Sequence, residues 1–131
     1  MKLCALLLLA CFCFCEDIPP WVLKGMAAVE SSSYWTGTEW VYVNRKIGSH
    51  GERGMFQCTR ATFNEVKQFG ERFEDLQWNT KLAESIARRC ILKLRAGGKR
   101  SWRKALAIYN GGAGNPQYGY ADRVETIGKS A

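Results

Sequence analysis

The chain has 131 residues, enough for one domain with a genuine core, and a formal net charge of +7. That balance favours polyanions or anionic surfaces, yet the basic residues are scattered along the chain with no RNA-binding aromatic motif. Nucleic acid is therefore set aside as a partner.

Residues 1–15 stand apart from the rest. Met1-Lys2 is followed by an uncharged apolar run from Leu3 to Phe14, ended by Glu16-Asp17 and Pro19-Pro20. This is the outline of a secretory signal sequence, short for a membrane span. Leu8-Leu9-Ala10-Cys11 also fits a bacterial lipoprotein cleavage box, so a lipid-modified Cys11, or an uncleaved apolar tether to a membrane, are the other outcomes. The expected location is the periplasm or cell envelope. Four of the six cysteines lie in this leader, leaving Cys58 and Cys90 for the domain of residues 16–131. They lack metal-ligand spacing, and the single His50 cannot make a site alone, so neither metal nor cofactor is expected. A disulfide and two free buried thiols both remain open.

In chain order, Pro19-Pro20 opens a helix in which Val22, Met26 and Val29 recur on one face, with Glu30 beside its last turn. A carboxylate there meets the negative helix end and loses solvation, and both effects raise its pKa. A proton held in that way suits a general acid. Thr38 to Val43 reads as a strand of a small hairpin, and Gly48 to Gly54 as a glycine-rich loop. Thr62 and Glu65 fit a capping box for a short helix stopped near Gly70. Asn79 caps a helix striped by Leu82, Ile86, Cys90 and Leu94 and ended by Gly97-Gly98. Ser101 caps another, Trp102 to Tyr109, and a last helix covers Tyr120 to Ile127. The fold class is mainly α, with a small β element.

Three segments carry a family resemblance: Glu30-Ser31 at a helix end, Gly51-Glu52-Arg53-Gly54-Met55-Phe56-Gln57, and Ala107-Ile108-Tyr109-Asn110-Gly111-Gly112. In this order the chain, from about Trp21 to Val124, resembles the lysozyme-like catalytic domain of soluble lytic transglycosylases and their phage and secretion-system relatives. The resemblance implies an α+β lysozyme-like fold with a substrate cleft. It implies Glu30 as the single catalytic acid, with Ser31, Gly54, Met55, Gln57, Tyr109 and Asn110 on the substrate side. The partner it implies is the glycan strand of peptidoglycan, in the setting of a virion or an envelope-spanning assembly.

The residues fit such a site on their own chemistry. Gln57 offers a donor and an acceptor to an amino sugar, and Met55 and Phe56 offer an apolar floor. The chain departs from the family pattern in a longer stretch between Glu30 and Gly51, and in Phe56 and Cys58 beside Gln57. Rival expectations are a hydrolysing muramidase using Glu52 or Glu39 as a second carboxylate, a non-catalytic glycan-binding component, and a cationic membrane-active protein.

Overall fold

The structure, a computed structural model, describes residues 16–130. The signal-sequence and lipoprotein readings of residues 1–15 lie outside the described residues.

Helix α1 (Pro20–Ser31) begins with proline, which needs no amide partner in the first turn. It ends where Ser32 turns left-handed at φ 58° and gives its N–H to the Ala28 carbonyl at 3.0 Å. Strands β1 (Tyr34–Trp35) and β2 (Trp40–Val41) follow at once as an antiparallel hairpin, pairing Tyr34 with Val41 and Trp35 with Trp40. The expected strand from Thr38 to Val43 is thus shorter, because the Thr36 hydroxyl and carbonyl-capped turn occupy residues up to Glu39.

After an extended stretch, Arg53 and Cys58 bridge antiparallel around a tight turn. Helix α2 (Arg60–Val66) comes next, capped by Thr59, whose hydroxyl accepts the Thr62 N–H at 3.2 Å. The capping box expected at Thr62 and Glu65 is therefore displaced. The bridge ends at Cys58, so Thr59 is the first residue free to cap, and Thr62 falls inside the helix. The helix also stops earlier than expected, since Lys67 is already extended.

A short 3-10 turn (Phe73–Gln77) leads to α3 (Thr80–Arg95). Asn79 caps it through the Leu82 N–H at 3.0 Å, as its sequence position predicts. Its most buried side is Ala83, Ile86, Ala87, Cys90 and Ile91, rotated slightly from the Leu82–Leu94 row. Helix α4 (Trp102–Gly111) has Ser101 as its cap, and α5 (Tyr118–Lys129) closes the described chain. Among the described residues the fold is mainly helical with one small two-stranded sheet.

Helix α5 packs most extensively against α1, and then against α4. Two glycines make the first contact close. A Cβ on Gly25 would overlap the Val124 carbonyl, and one on Gly128 would overlap the Trp21 carbonyl. The two backbones therefore meet directly, with Val22, Met26, Tyr120 and Val124 buried between and around them. This contact brings α5 against the last turn of α1, where Glu30 sits. Cys58 and Cys90 are both free and buried. The contact with the Cys90 thiol, and then burial, push the Cys58 thiol pKa strongly upward, so it stays protonated.

Candidate active site

Glu30 lies in a cleft of about 390 Å³, between the end of α1, the loop before α2 and the end of α4. Its carboxyl pKa is raised to about 7, chiefly because burial strips solvent from the anion. The Tyr120 hydroxyl, donating to Glu30 Oε2 at 3.3 Å, opposes that shift. The charge of Glu52 adds to it, and Arg123 of α5 opposes it. Desolvation wins, leaving an acid poised near neutrality.

The wall facing Glu30 is irregular backbone. Gln57 sits at φ 51° and turns its side chain into the cleft, while its amide nitrogen donates to the carbonyls of Gly54 at 3.0 Å and Lys46 at 3.3 Å. With both amide hydrogens so engaged, its oxygen is the atom left for a ligand. Glu52 Oε1 accepts the His50 backbone N–H at 2.9 Å and lies 3.4 Å from His50 Nδ1. Tyr109 and Asn110 come from the last turn of α4. The Tyr109 hydroxyl donates to the Phe56 carbonyl at 2.6 Å, tying α4 to the loop. Burial holds Tyr109 and Tyr120 as neutral phenols, which keeps both as donors.

Of the residues singled out in the sequence, Glu30, Gln57, Tyr109 and Asn110 share this cleft. Ser31, Gly54 and Met55 do not line it. Gly54 is buried against Leu76. Met55 is 0% and Phe56 2% exposed, so they support the loop from the core and offer no apolar floor to a ligand.

Ser31 is buried as well and works as a strut. A hydroxyl has one hydrogen to give. Using each hydrogen once, Val43 N–H donates to Ser33 Oγ (3.0 Å), Ser33 to Ser31 Oγ (2.7 Å), and Ser31 to the Met55 carbonyl (2.8 Å). This relay fixes the extended stretch and the glycine loop to the end of α1. Thr59 and His50 also line the cleft without having been singled out.

Tyr120 is the largest omission. Its only sequence signal is an i, i+4 pair with Val124 on the buried face of α5, which reads as core until its hydroxyl is seen on Glu30.

Of the two candidate second carboxylates, Glu52 lines the cleft, whereas Glu39 lies exposed in the hairpin turn. A larger depression of about 740 Å³ lies between α2 and α3. Its charged groups neutralise one another or nearby acids, Arg89 with Glu71 at 2.6 Å and Lys93 with Glu65 at 3.2 Å. The carboxyl with the raised pKa, Glu30, lies in the smaller cleft, which is therefore the candidate site. Compared with known proteins, the chain matches no family model, no curated protein and no solved structure.

Proposed function

We propose that the protein is a peptidoglycan-cleaving lytic transglycosylase acting on the β-1,4 bond between N-acetylmuramic acid and N-acetylglucosamine. The observation that carries this reading is a glutamic acid with a pKa near 7 at the edge of a cleft whose polar lining suits an amino sugar. Glu30 protonates the leaving glycosidic oxygen as the C1–O bond breaks. The substrate's own acetamido oxygen stabilises the resulting sugar cation. Glu30, now a carboxylate, then takes the proton of the C6 hydroxyl, whose oxygen bonds to C1. The product is a 1,6-anhydromuramyl end, no water is consumed, and Glu30 is protonated again. Tyr120 and Arg123 favour the transient carboxylate, and Glu52 favours the acid.

Glu52 supports a second reading, a hydrolysing muramidase, since it is another carboxyl group in the same cleft. Its bond to the His50 amide fits a loop-holding group in the first reading, whereas the second would use its carboxylate to activate a water. An exported location, with a virion or envelope-assembly setting, accompanies either.

Mass spectrometry of peptidoglycan digested by the mature protein, beside a Glu30→Gln control, separates these readings. Muropeptides one water lighter than hydrolysis products, absent with the control, are expected. Reducing-end products would establish the muramidase instead. No cleavage by folded protein would leave a glycan-binding role.

A further inference from the structure

The hairpin that follows Glu30 carries two aromatic rings, Tyr34 and Trp35, that the core does not use. Trp35 and Trp40 are paired in register, so they share one face, and their rings meet edge to face at 5.3 Å. Trp40 in turn meets Phe56 edge to face at 5.6 Å. The Phe56 carbonyl is the one that holds the Tyr109 hydroxyl beside the cleft. An unbroken series of rings therefore runs outward from beneath the cleft and ends at Trp35, which keeps 36% of its surface exposed.

The mount is rigid. A two-stranded hairpin is marginal on its own. This one is pinned by the Val43 N–H on Ser33 and by the Asn44 N–H on the Ser31 carbonyl, both at the end of the acid's helix. A large, partly exposed ring at the outer end of a series that starts in the cleft's own loop is what a ligand-stacking residue requires. The Trp40 indole N–H in the same series is buried with no acceptor among the described residues, so the ladder also carries an unused donor.

A cleft of about 390 Å³ is at the small end for even a small ligand, so a polymer bound there must continue past its edge. Resting on the reading of the cleft as a glycan site, we infer that Trp35 is a stacking platform for a saccharide unit of the strand lying beyond the cleft. The axial C–H groups of a pyranose form a flat apolar face of slight positive charge, which matches the negative face of an indole ring. The hairpin then extends the binding track and favours long strands over short ones.

The test is calorimetric binding of peptide-free glycan strands of graded length to the full-length mature protein carrying Glu30→Gln, which binds without cutting. Long strands are expected to bind roughly tenfold tighter than short ones. Adding Trp35→Ala should abolish that difference, whereas Trp35→Phe should keep most of it. Thermal unfolding of each variant checks that the hairpin's loss of affinity is not loss of fold, and the Phe variant keeps the test decisive if the Ala variant is unstable. Short strands that bind with no gain for length, or a gain that survives Trp35→Ala, would overturn the inference and leave the cleft reading intact. Absence of binding at every length would bring down both. Self-association removed by Trp35→Ala in the absence of glycan would assign the ring to a protein interface and overturn the inference.

Discussion

The two sides of the cleft are built by different means. On the α1–α5 side, Glu30 and Tyr120 are placed by helix packing, with Gly25 and Gly128 letting the two backbones touch. On the other side, residues 33–59 have almost no regular structure and are held by single polar contacts. These are the Ser31–Ser33 relay, the Gln57 amide and the Tyr109 hydroxyl. The acid thus rests on the most closely packed helix contact, and the opposite wall of the cleft on a part that a few hydroxyls define. Packed apolar surface resists change cooperatively, whereas a polar strut fails singly.

The strongest way to break that contrast is Gly25→Val. The new side chain would meet the Val124 backbone, which cannot move aside as a flexible side chain would. The expected loss is about 3 kcal/mol or more, which corresponds to about 12 °C in melting temperature for a chain of this size. Thermal unfolding checks it, and an unchanged melting temperature would show that α1 and α5 are not locked together.

Next comes a cost built into the acid itself. Glu30 has a folded pKa of about 7 against an ordinary 4.5, so between these values the folded protein holds a proton that the unfolded chain has lost. Stability therefore falls as pH rises above about 4.5, and the loss is complete above about 7. Glu30→Gln cannot ionise and escapes it. Denaturant unfolding of both proteins should show the variant gaining about 3 kcal/mol on the wild type between pH 4 and pH 9. A gap that does not change with pH would mean that Glu30 is solvated.

What could be read from sequence follows the same divide. The Asn79 and Ser101 caps and the α1 stripe were legible because helix signals are local. Thr59 was missed because Thr59-Thr62 and Thr62-Glu65 both fit a cap, and the Arg53–Cys58 bridge decides between them. Met55 was placed in the cleft by its neighbours in the motif. The turn from Gly54 to Gln57 sends it inward and Gln57 outward, a fact of backbone angles that residue type does not carry. Tyr120 lies 90 residues from the carboxyl it touches, beyond any local pattern.

On the polar side of the comparison, Ser31→Ala removes the middle hydroxyl of the relay and leaves the Met55 carbonyl buried without that donor. The expected loss is about 2 kcal/mol, smaller than for Gly25→Val. Its functional effect should exceed its stability effect, because the loop bearing Gln57 loses its tie to α1. Wall-cleaving activity measured well below the melting temperature checks this. Full activity there would show that the loop holds its shape without the strut.

The smallest effects are also the most specific, because two substitutions should move one pH profile in opposite directions. The Tyr120 hydroxyl stabilises the Glu30 anion, so Tyr120→Phe should raise the Glu30 pKa above its value near 7. The charge on Glu52 destabilises that anion, so Glu52→Gln should lower it. An acid that must be protonated loses activity as pH rises through its pKa. The alkaline limb of the rate profile should therefore move to higher pH in Tyr120→Phe and to lower pH in Glu52→Gln. Arg123 and Tyr109 are unchanged in both variants, so the two shifts isolate a helical neighbour and a loop neighbour of the same carboxyl. Movement of both limbs in the same direction would mean that the titrating group is not Glu30. Loss of all activity in Glu52→Gln at every pH would make Glu52 a second catalytic carboxylate, and the cleft a muramidase site.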